Sequence, residues 1–144
     1  MPEFHVKIGE RFTFAKTVSE SDVYQFAGIT GDLAPNHVNQ AYMETTAYGE
    51  RMAHGALMIG YMSTASTMAT EASRQSSNTA VSLGYARIRF LKPVFFGDTI
   101  TVRYVIAEID AERSRSRANI EIHNQHGDLV TVAQHLLKWV ANPR

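Results

Sequence analysis

The sequence predicts an α+β fold in which an antiparallel β-sheet wraps around one central apolar helix. Two observations predict it. Residues 19–70 have helical spacing and end in a helix that is apolar on nearly all sides, whereas residues 79–140 alternate between apolar and polar positions as strands do. No repeat, low-complexity tract or linker divides the 144 residues, so we expect a single domain over 1–144.

The composition excludes several classes of protein. Fourteen basic residues balance fourteen acidic ones, and a protein that binds nucleic acid usually carries a basic excess. The absence of cysteine excludes disulfides, thiolate nucleophiles and Cys-ligated metals. The N-terminus lacks a signal-peptide core, and the longest strongly apolar stretch, 53–62, is too short to span a bilayer. We therefore expect a cytoplasmic protein with neither nucleic acid nor membrane as a partner.

The first part of the chain has signals for a strand and two helices. A strand is predicted over 11–18 from its alternating phenylalanines. Ser19 and Asp22 form a capping pattern that starts a helix. Pro35 prevents a smooth continuation of that helix, because it lacks an N–H group. Asn39 can then cap a second short helix that continues to about residue 46.

The third helix, predicted over 55–70, is the unusual one. Its apolar residues cover nearly all sides, and its few polar residues are small serines and threonines. A helix that is apolar all round is normally buried all round. We therefore predict that this helix is the centre of the fold and that the following polar segment, 71–78, is a loop.

The remaining residues predict antiparallel strands with one covered face. Turns are expected at Gly97-Asp98 and at 124–128. The apolar positions of the strands are Val81, Leu83, Tyr85, Ile88 and Phe90, then Ile100, Val102, Tyr104 and Ile106, then Ala118, Ile120 and Ile122, then the stretch 129–140. Because such a sheet has an exposed edge that a second copy can cover, a homodimer is expected.

The segment 26–37 reads FAGITGDLAPNH and is followed by His54-Gly55. This pattern resembles the signature of the MaoC-like (R)-specific enoyl-CoA hydratases, which is an aromatic residue, then Gly-Asp, any residue, Asn-Pro, an aliphatic residue and His. Gly31, Asp32, Pro35 and His37 match that signature in identity and spacing. Two positions depart from it: Ala34 stands where the family has Asn, and Asn36 stands where the family has an aliphatic residue.

The resemblance implies the hotdog fold and a function. The family interconverts trans-2-enoyl-CoA and (3R)-3-hydroxyacyl-CoA without a cofactor, since CoA or an acyl-carrier protein is part of the substrate. It implies catalytic roles for Asp32 and His37, with Gly55 at the start of the central helix. Ser63 occupies a position where the family often has a serine, and is a further catalytic candidate.

Elementary chemistry agrees with these assignments. Hydration of an α,β-unsaturated thioester needs a base for water, an acid for the α-carbon and hydrogen-bond donors for the enolate oxygen. Asp32 and His37 lie five positions apart across a loop that contains a proline, so both side chains can face one cavity. Gly55 starts a helix, so its amide has no acceptor within that helix. Which of Asp32 and His37 is the base and which the acid stays open.

Four residues are candidates for substrate binding. Asn36 can replace the missing family Asn from a neighbouring position, and His54 can orient the loop that presents Gly55. Arg89 and Lys92 can bind a CoA diphosphate, although Arg87 and the alternating Arg113, Arg115 and Arg117 are equally possible at this stage. Met58 and Met62 are interpreted as core residues that can also line an acyl tunnel.

No metal site is predicted. His123 and His126 flank a predicted turn and His135 can lie on the partner strand, but neither a carboxylate nor a cysteine completes a set. These three histidines are interpreted as solvated turn residues.

Two other functions remain open. A hotdog thioesterase commonly has an acidic residue on the central helix, and 55–70 contains none. A non-catalytic acyl-CoA-binding subunit is kept as an alternative because of Ala34. The sequence does not define the acyl chain length or the carrier.

Overall fold

The computed structural model describes residues 4–143, and in this range five antiparallel strands form one sheet in the order β1-β3-β4-β5-β2. The strands are β1 (Arg11–Thr17), β2 (Asn78–Phe90), β3 (Thr99–Asp110), β4 (Arg115–His123) and β5 (Leu129–Ala141). The helices are α1 (Glu20–Thr30), α2 (Pro35–Val38), α3 (Gln40–Met43) and α4 (Gly55–Ala69). A 3-10 helix over Glu71–Gln75 occupies most of the segment predicted as a loop.

The inner face of the sheet is built by the predicted alternation. Every second side chain is buried over 100–106 of β3, 116–122 of β4 and 131–139 of β5, and the intervening ones are partly or fully exposed. The buried positions predicted for β3 and β4 are confirmed: Ile100, Val102, Tyr104, Ile106, Ala118, Ile120 and Ile122. These side chains form the core on which α4 packs.

Strand β2 departs from the prediction. Val81 and Leu83, predicted to share a covered face, are 46% and 49% exposed. The reason is that β2 is an edge strand whose pairing with β5 shifts register twice, between Ser82 and Gly84 and between Ala86 and Arg89. Such shifts change which face of the sheet successive side chains occupy.

The predicted helix caps are present. Ser19 caps α1 in a complete capping box, because its hydroxyl accepts from the Asp22 N–H while Asp22 accepts from the Ser19 N–H. Asn39 caps α3 through the Tyr42 N–H. The prediction missed α2, a one-turn helix that begins at Pro35, where a proline is tolerated because the first-turn N–H has no helical partner.

Helix α4 is covered on one side only, which corrects the prediction that it is buried all round. Its buried residues pack on the sheet: Met58, Tyr61, Met62, Ala65, Ser66 and Ala69. Its exposed residues are mostly small: Ala56, Gly60, Ser63, Thr64, Thr67 and Met68. Small apolar and hydroxyl side chains therefore occupy a face that a single chain leaves uncovered. No helix in residues 4–143 is long and apolar enough to cross a membrane.

Candidate active site

The structure brings Asp32, His37 and His54 together. One side-chain ligand atom from each residue lies within 4.8 Å of those of the other two. Asp32 follows the C-terminus of α1, His37 lies in α2, and His54 immediately precedes α4. The cluster is thus made by one stretch of chain that passes across the N-terminus of α4.

His37 is buried and held in one orientation. Its Nδ1 lies 2.8 Å from the Met52 carbonyl oxygen. Since a carbonyl oxygen only accepts, Nδ1 carries the proton and Nε2 keeps its lone pair. The Met52 N–H donates to the Asn36 carbonyl at 2.8 Å, so the acceptor of His37 is itself tied to α2.

Asp32 is positioned by the end of α1. Gly31 adopts the left-handed conformation, with φ of 81°, which ends the helix and turns the chain toward α2. The Asp32 carboxylate accepts from the Ala34 N–H at 3.3 Å and is 54% exposed. One oxygen of this carboxylate is therefore fixed by the backbone while the group keeps access to solvent.

His54 contacts both of these residues. Its Nε2 lies 3.0 Å from the Asp32 carbonyl oxygen and 4.0 Å from the Asp32 Oδ2. Its ring stacks on that of His37, with centroids 3.6 Å apart and planes 23° apart, and Phe26 meets it edge-on at 4.8 Å. Because the Asp32 carbonyl only accepts, His54 Nε2 carries a proton, and a protonated nitrogen is not a metal ligand, so the cluster suits hydrogen bonding better than a metal ion.

A cavity of about 270 Å³ opens beside the cluster. Its lining includes His37, His54 and Gly55, the segment 90–94 at and after the end of β2, and Thr131 of β5. The ring of Phe90 lies so close to Gly55 that a Cβ built on Gly55 would be 2.8 Å from it. The Gly55 N–H, which has no acceptor within the helix, therefore lies beside the cavity, and a side chain at this position would require the Phe90 ring to move.

Of the predicted binding residues, the structure places Asn36 and Lys92 at the cavity together with His54. Lys92 is mostly exposed and pairs with Asp128 at 3.3 Å. Among the described residues that line the cavity, Asp32, Ser63 and Arg89 are absent, although a side-chain oxygen of Asp32 lies within 4.8 Å of a ring nitrogen of the lining residue His37. The Arg89 Nη1 donates instead to the neighbouring Ile88 carbonyl at 2.7 Å.

Ser63 lies on the exposed face of α4, beside Tyr85 of β2. Burial raises the pKa of Tyr85, and the hydroxyl of Ser63 opposes that increase. Because Ser63 is about two helical turns from Gly55, the structure separates it from the Asp32–His37 pair. Its catalytic role stays a prediction.

The comparison with known proteins agrees with the architecture. Residues 3–127 match the MaoC like domain. The chain belongs to the MaoC-like domain family. It is 36% identical to an (R)-specific enoyl-CoA hydratase from Rhodospirillum rubrum over 108 residues, which are 75% of this chain and 71% of the relative.

Two further relatives extend this result. A 3-hydroxybutyryl-CoA dehydratase from Methylorubrum extorquens is 33% identical over 123 residues, which cover 81% of this chain and 74% of the relative. The structure of an (R)-hydratase from Aeromonas caviae superposes with a TM-score of 0.81 at 22% identity, covering 96% of this chain and 98% of the other. The predicted hotdog fold and family are confirmed, and the predicted class, hydro-lyase, is the class these names describe.

This MaoC-like chain contains site residues that the motif did not reveal. Tyr48, Met52, Phe90, Leu91 and Thr131 also line the cavity. They come from three separate parts of the chain, so local spacing carried no signal for them. Of the two methionines considered for an acyl tunnel, Met58 lines the cavity and Met62 lies in the core.

One histidine interpreted as solvated is in fact buried. His135 of β5 is 1% exposed, with Nδ1 2.8 Å from the Tyr104 hydroxyl and Nε2 2.7 Å from the Ser82 hydroxyl. Tyr85 stacks on its ring at 4.2 Å. Burial lowers the pKa of His135 from 6.5 to about 4, so the ring is neutral under ordinary conditions. Strand alternation in β5 could have indicated this, because His135 occupies an inward position.

Proposed function

We propose that this chain interconverts trans-2-enoyl-CoA and (3R)-3-hydroxyacyl-CoA by adding or removing water. The observation that supports the proposal most is that a side-chain ligand atom of Asp32 lies within 4.8 Å of one of His37, which lines the cavity and whose Nδ1 contacts the Met52 carbonyl. The R configuration follows the names of the Rhodospirillum rubrum and Aeromonas caviae relatives.

The first requirement is a base for water. In this proposal a water molecule binds between the Asp32 carboxylate and the His37 Nε2, since both are acceptors. As the water oxygen forms a bond to C3 of the enoyl group, one of its protons passes to this pair. The hydrogen bond from His37 Nδ1–H to the Met52 carbonyl favours the imidazolium form that arises when Nε2 gains the proton.

The second requirement is stabilisation of the enolate. When the oxygen adds to C3, the C2–C3 π electrons move to the thioester oxygen, which becomes negative. The Gly55 N–H is the proposed donor to that oxygen, because it belongs to the first turn of α4 and the helix dipole favours negative charge there. Return of a proton from the Asp32–His37 pair to C2 completes the reaction with atoms and charge balanced.

Lys92 and Asn36 are the proposed substrate-binding residues. Lys92 lies at the cavity and is largely exposed, so its ammonium group can bind a phosphate of the carrier. Replacement by Gln is expected to raise KM while kcat is unchanged, because phosphate binding is equal in the ground and transition states. Asn36 lines the cavity beside His37, where its amide can hydrogen-bond the reacting water in place of the family Asn.

The test is incubation with trans-2-butenoyl-CoA and with a long-chain 2-enoyl-CoA. Loss of the conjugated enoyl absorbance and chiral analysis of the product measure the reaction. We expect the (3R)-alcohol. Formation of the (S)-alcohol, or no loss of the double bond with either substrate, would refute the proposal.

Variants of the two catalytic candidates test the assignment. Asp32→Asn and His37→Gln are each expected to reduce kcat by about 10²–10⁴-fold, which is the usual contribution of general acid–base catalysis. Asp110→Asn and His126→Gln are controls, since neither residue belongs to the cluster of Asp32, His37 and His54. Asp110 is partly buried and His126 is exposed. Undiminished turnover in Asp32→Asn would eliminate the proposed role.

The same incubation distinguishes the alternatives. Release of free CoA thiol with the double bond intact would identify a thioesterase. Tight binding without turnover, unaffected by His37→Gln, would identify an acyl-CoA-binding subunit. The structure offers no acidic residue on α4 that could support the first of these.

A second copy of this chain is the proposed cover for the exposed face formed by α4 and β2. Val81 and Leu83 are half-exposed on the edge strand, and the small residues on one face of α4 are exposed as well. An edge strand with exposed apolar side chains is stabilised by pairing with another edge. A twofold homodimer covers both features with one contact.

A further inference from the structure

We propose that His54 is a positioning residue that holds both members of the Asp32–His37 pair, one through its N–H group and the other through its ring face. This inference rests on the proposed function. It assigns to one buried side chain a role that neither the motif nor the cavity indicates. His54 itself was expected to bind substrate.

The N–H group of His54 holds the Asp32 backbone. The Asp32 carbonyl oxygen lies 3.0 Å from Nε2, and because it only accepts, Nε2 carries the proton. His54 is therefore the Nε2–H tautomer with a lone pair on Nδ1. That Nδ1 is buried and has no hydrogen-bond partner within residues 4–143, so a proton there would gain no acceptor.

The ring face of His54 holds His37. The two imidazoles stack at 3.6 Å, and the Phe26 ring supports His54 edge-on at 4.8 Å. With His54 2% exposed, its ring has little freedom to rotate. The plane of His37 is thereby fixed by two independent contacts, the stack and the Met52 carbonyl.

Two substitutions separate the two contacts. His54→Phe keeps a flat ring for stacking and loses the N–H donor, whereas His54→Gln keeps a donor and loses the ring. Both are expected to lower kcat by about 10–100-fold with little change in KM, because misplacement of a catalytic group affects the chemical step.

The kcat and KM values of the two variants decide whether the proposal holds. Unchanged kcat in both variants would overturn the proposal. A KM increase without loss of kcat would also overturn it, because that result describes substrate binding by His54.

A second measurement uses the unmodified protein and does not depend on folding of the variants. Nitrogen NMR of histidine-labelled protein at neutral pH is expected to show His54 as the Nε2–H tautomer. A charged or Nδ1–H form would refute the inference. This readout does not depend on turnover. Absence of hydratase activity would disprove the proposed function, whereas the observed tautomer would still test the role of His54.

Discussion

His135 predicts a specific loss of stability in mild acid. Burial lowers its pKa from 6.5 to about 4 in the folded chain, so between these values the unfolded chain binds a proton that the folded chain does not. The free energy of unfolding must then decrease as pH falls through this interval. One pKa unit corresponds to 1.36 kcal/mol, so the full effect is about 3 kcal/mol, of which about 2 kcal/mol falls between about pH 7 and pH 4.5.

The perturbation that isolates this effect is His135→Gln. Glutamine can still accept from the Tyr104 hydroxyl and donate to Ser82, but it cannot bind a proton in this interval. Urea unfolding of both proteins at fixed protein concentration gives the free energy at each pH. The wild-type advantage is expected to shrink by about 2 kcal/mol from about pH 7 to pH 4.5.

A pH-independent difference between the two proteins would refute this reasoning. Titration of His135 by proton NMR provides a direct check, since a pKa near 6.5 in the folded protein would show that burial does not penalise its charged form. The hydroxyl oxygens of Tyr104 and Ser82 would then both accept from the ring and stabilise its ionised form rather than the neutral one.

Three other predictions follow from contacts described above. Gly55→Ala should abolish hydration, because the added Cβ lies 2.8 Å from the Phe90 ring, and adding Phe90→Leu should restore hydration by removing that contact. A double variant that is no more active than Gly55→Ala would contradict this explanation. Ser19→Ala should lower the free energy of unfolding by about 1 kcal/mol in urea titrations, whereas Ser19→Asn, which keeps the cap, should not. Leu83→Lys should produce monomers in sedimentation velocity, and identical sedimentation of Leu83→Lys and wild type would contradict the proposed dimer.

The fold was predictable because its signals are local. The alternation of β3 and β4 defines a covered face within each strand, and Ser19 with Asp22 defines the start of α1 within four residues. Strand β2 was misjudged because its bulges are set by pairing with β5, which adjacent residues do not reveal. The open side of α4 was missed because composition reports that a surface is apolar, not which molecule covers it.

In the candidate site, too, local sequence signals were predictive and contacts between distant residues were not. Asp32 and His37 were identified because a short motif places both on one turn of chain, and the structure brings them together. Phe90 and Thr131 were not identified, since they reach the cavity only when β2 pairs with β5. The contact of His54 with Asp32 depends on a hydrogen bond across 22 positions, which no local pattern encodes.

The reacting groups and the other residues that line the cavity come from different parts of the chain. Asp32, His37 and Gly55 belong to one continuous stretch, whereas Phe90, Leu91 and Thr131 belong to the sheet and the turn after it. Substitutions in the second group can change the shape and polarity of the cavity that would bind an acyl chain, while the segment with Asp32, His37 and Gly55 stays unchanged. Related proteins can therefore differ in the acyl chain that they bind while they keep the same reacting groups.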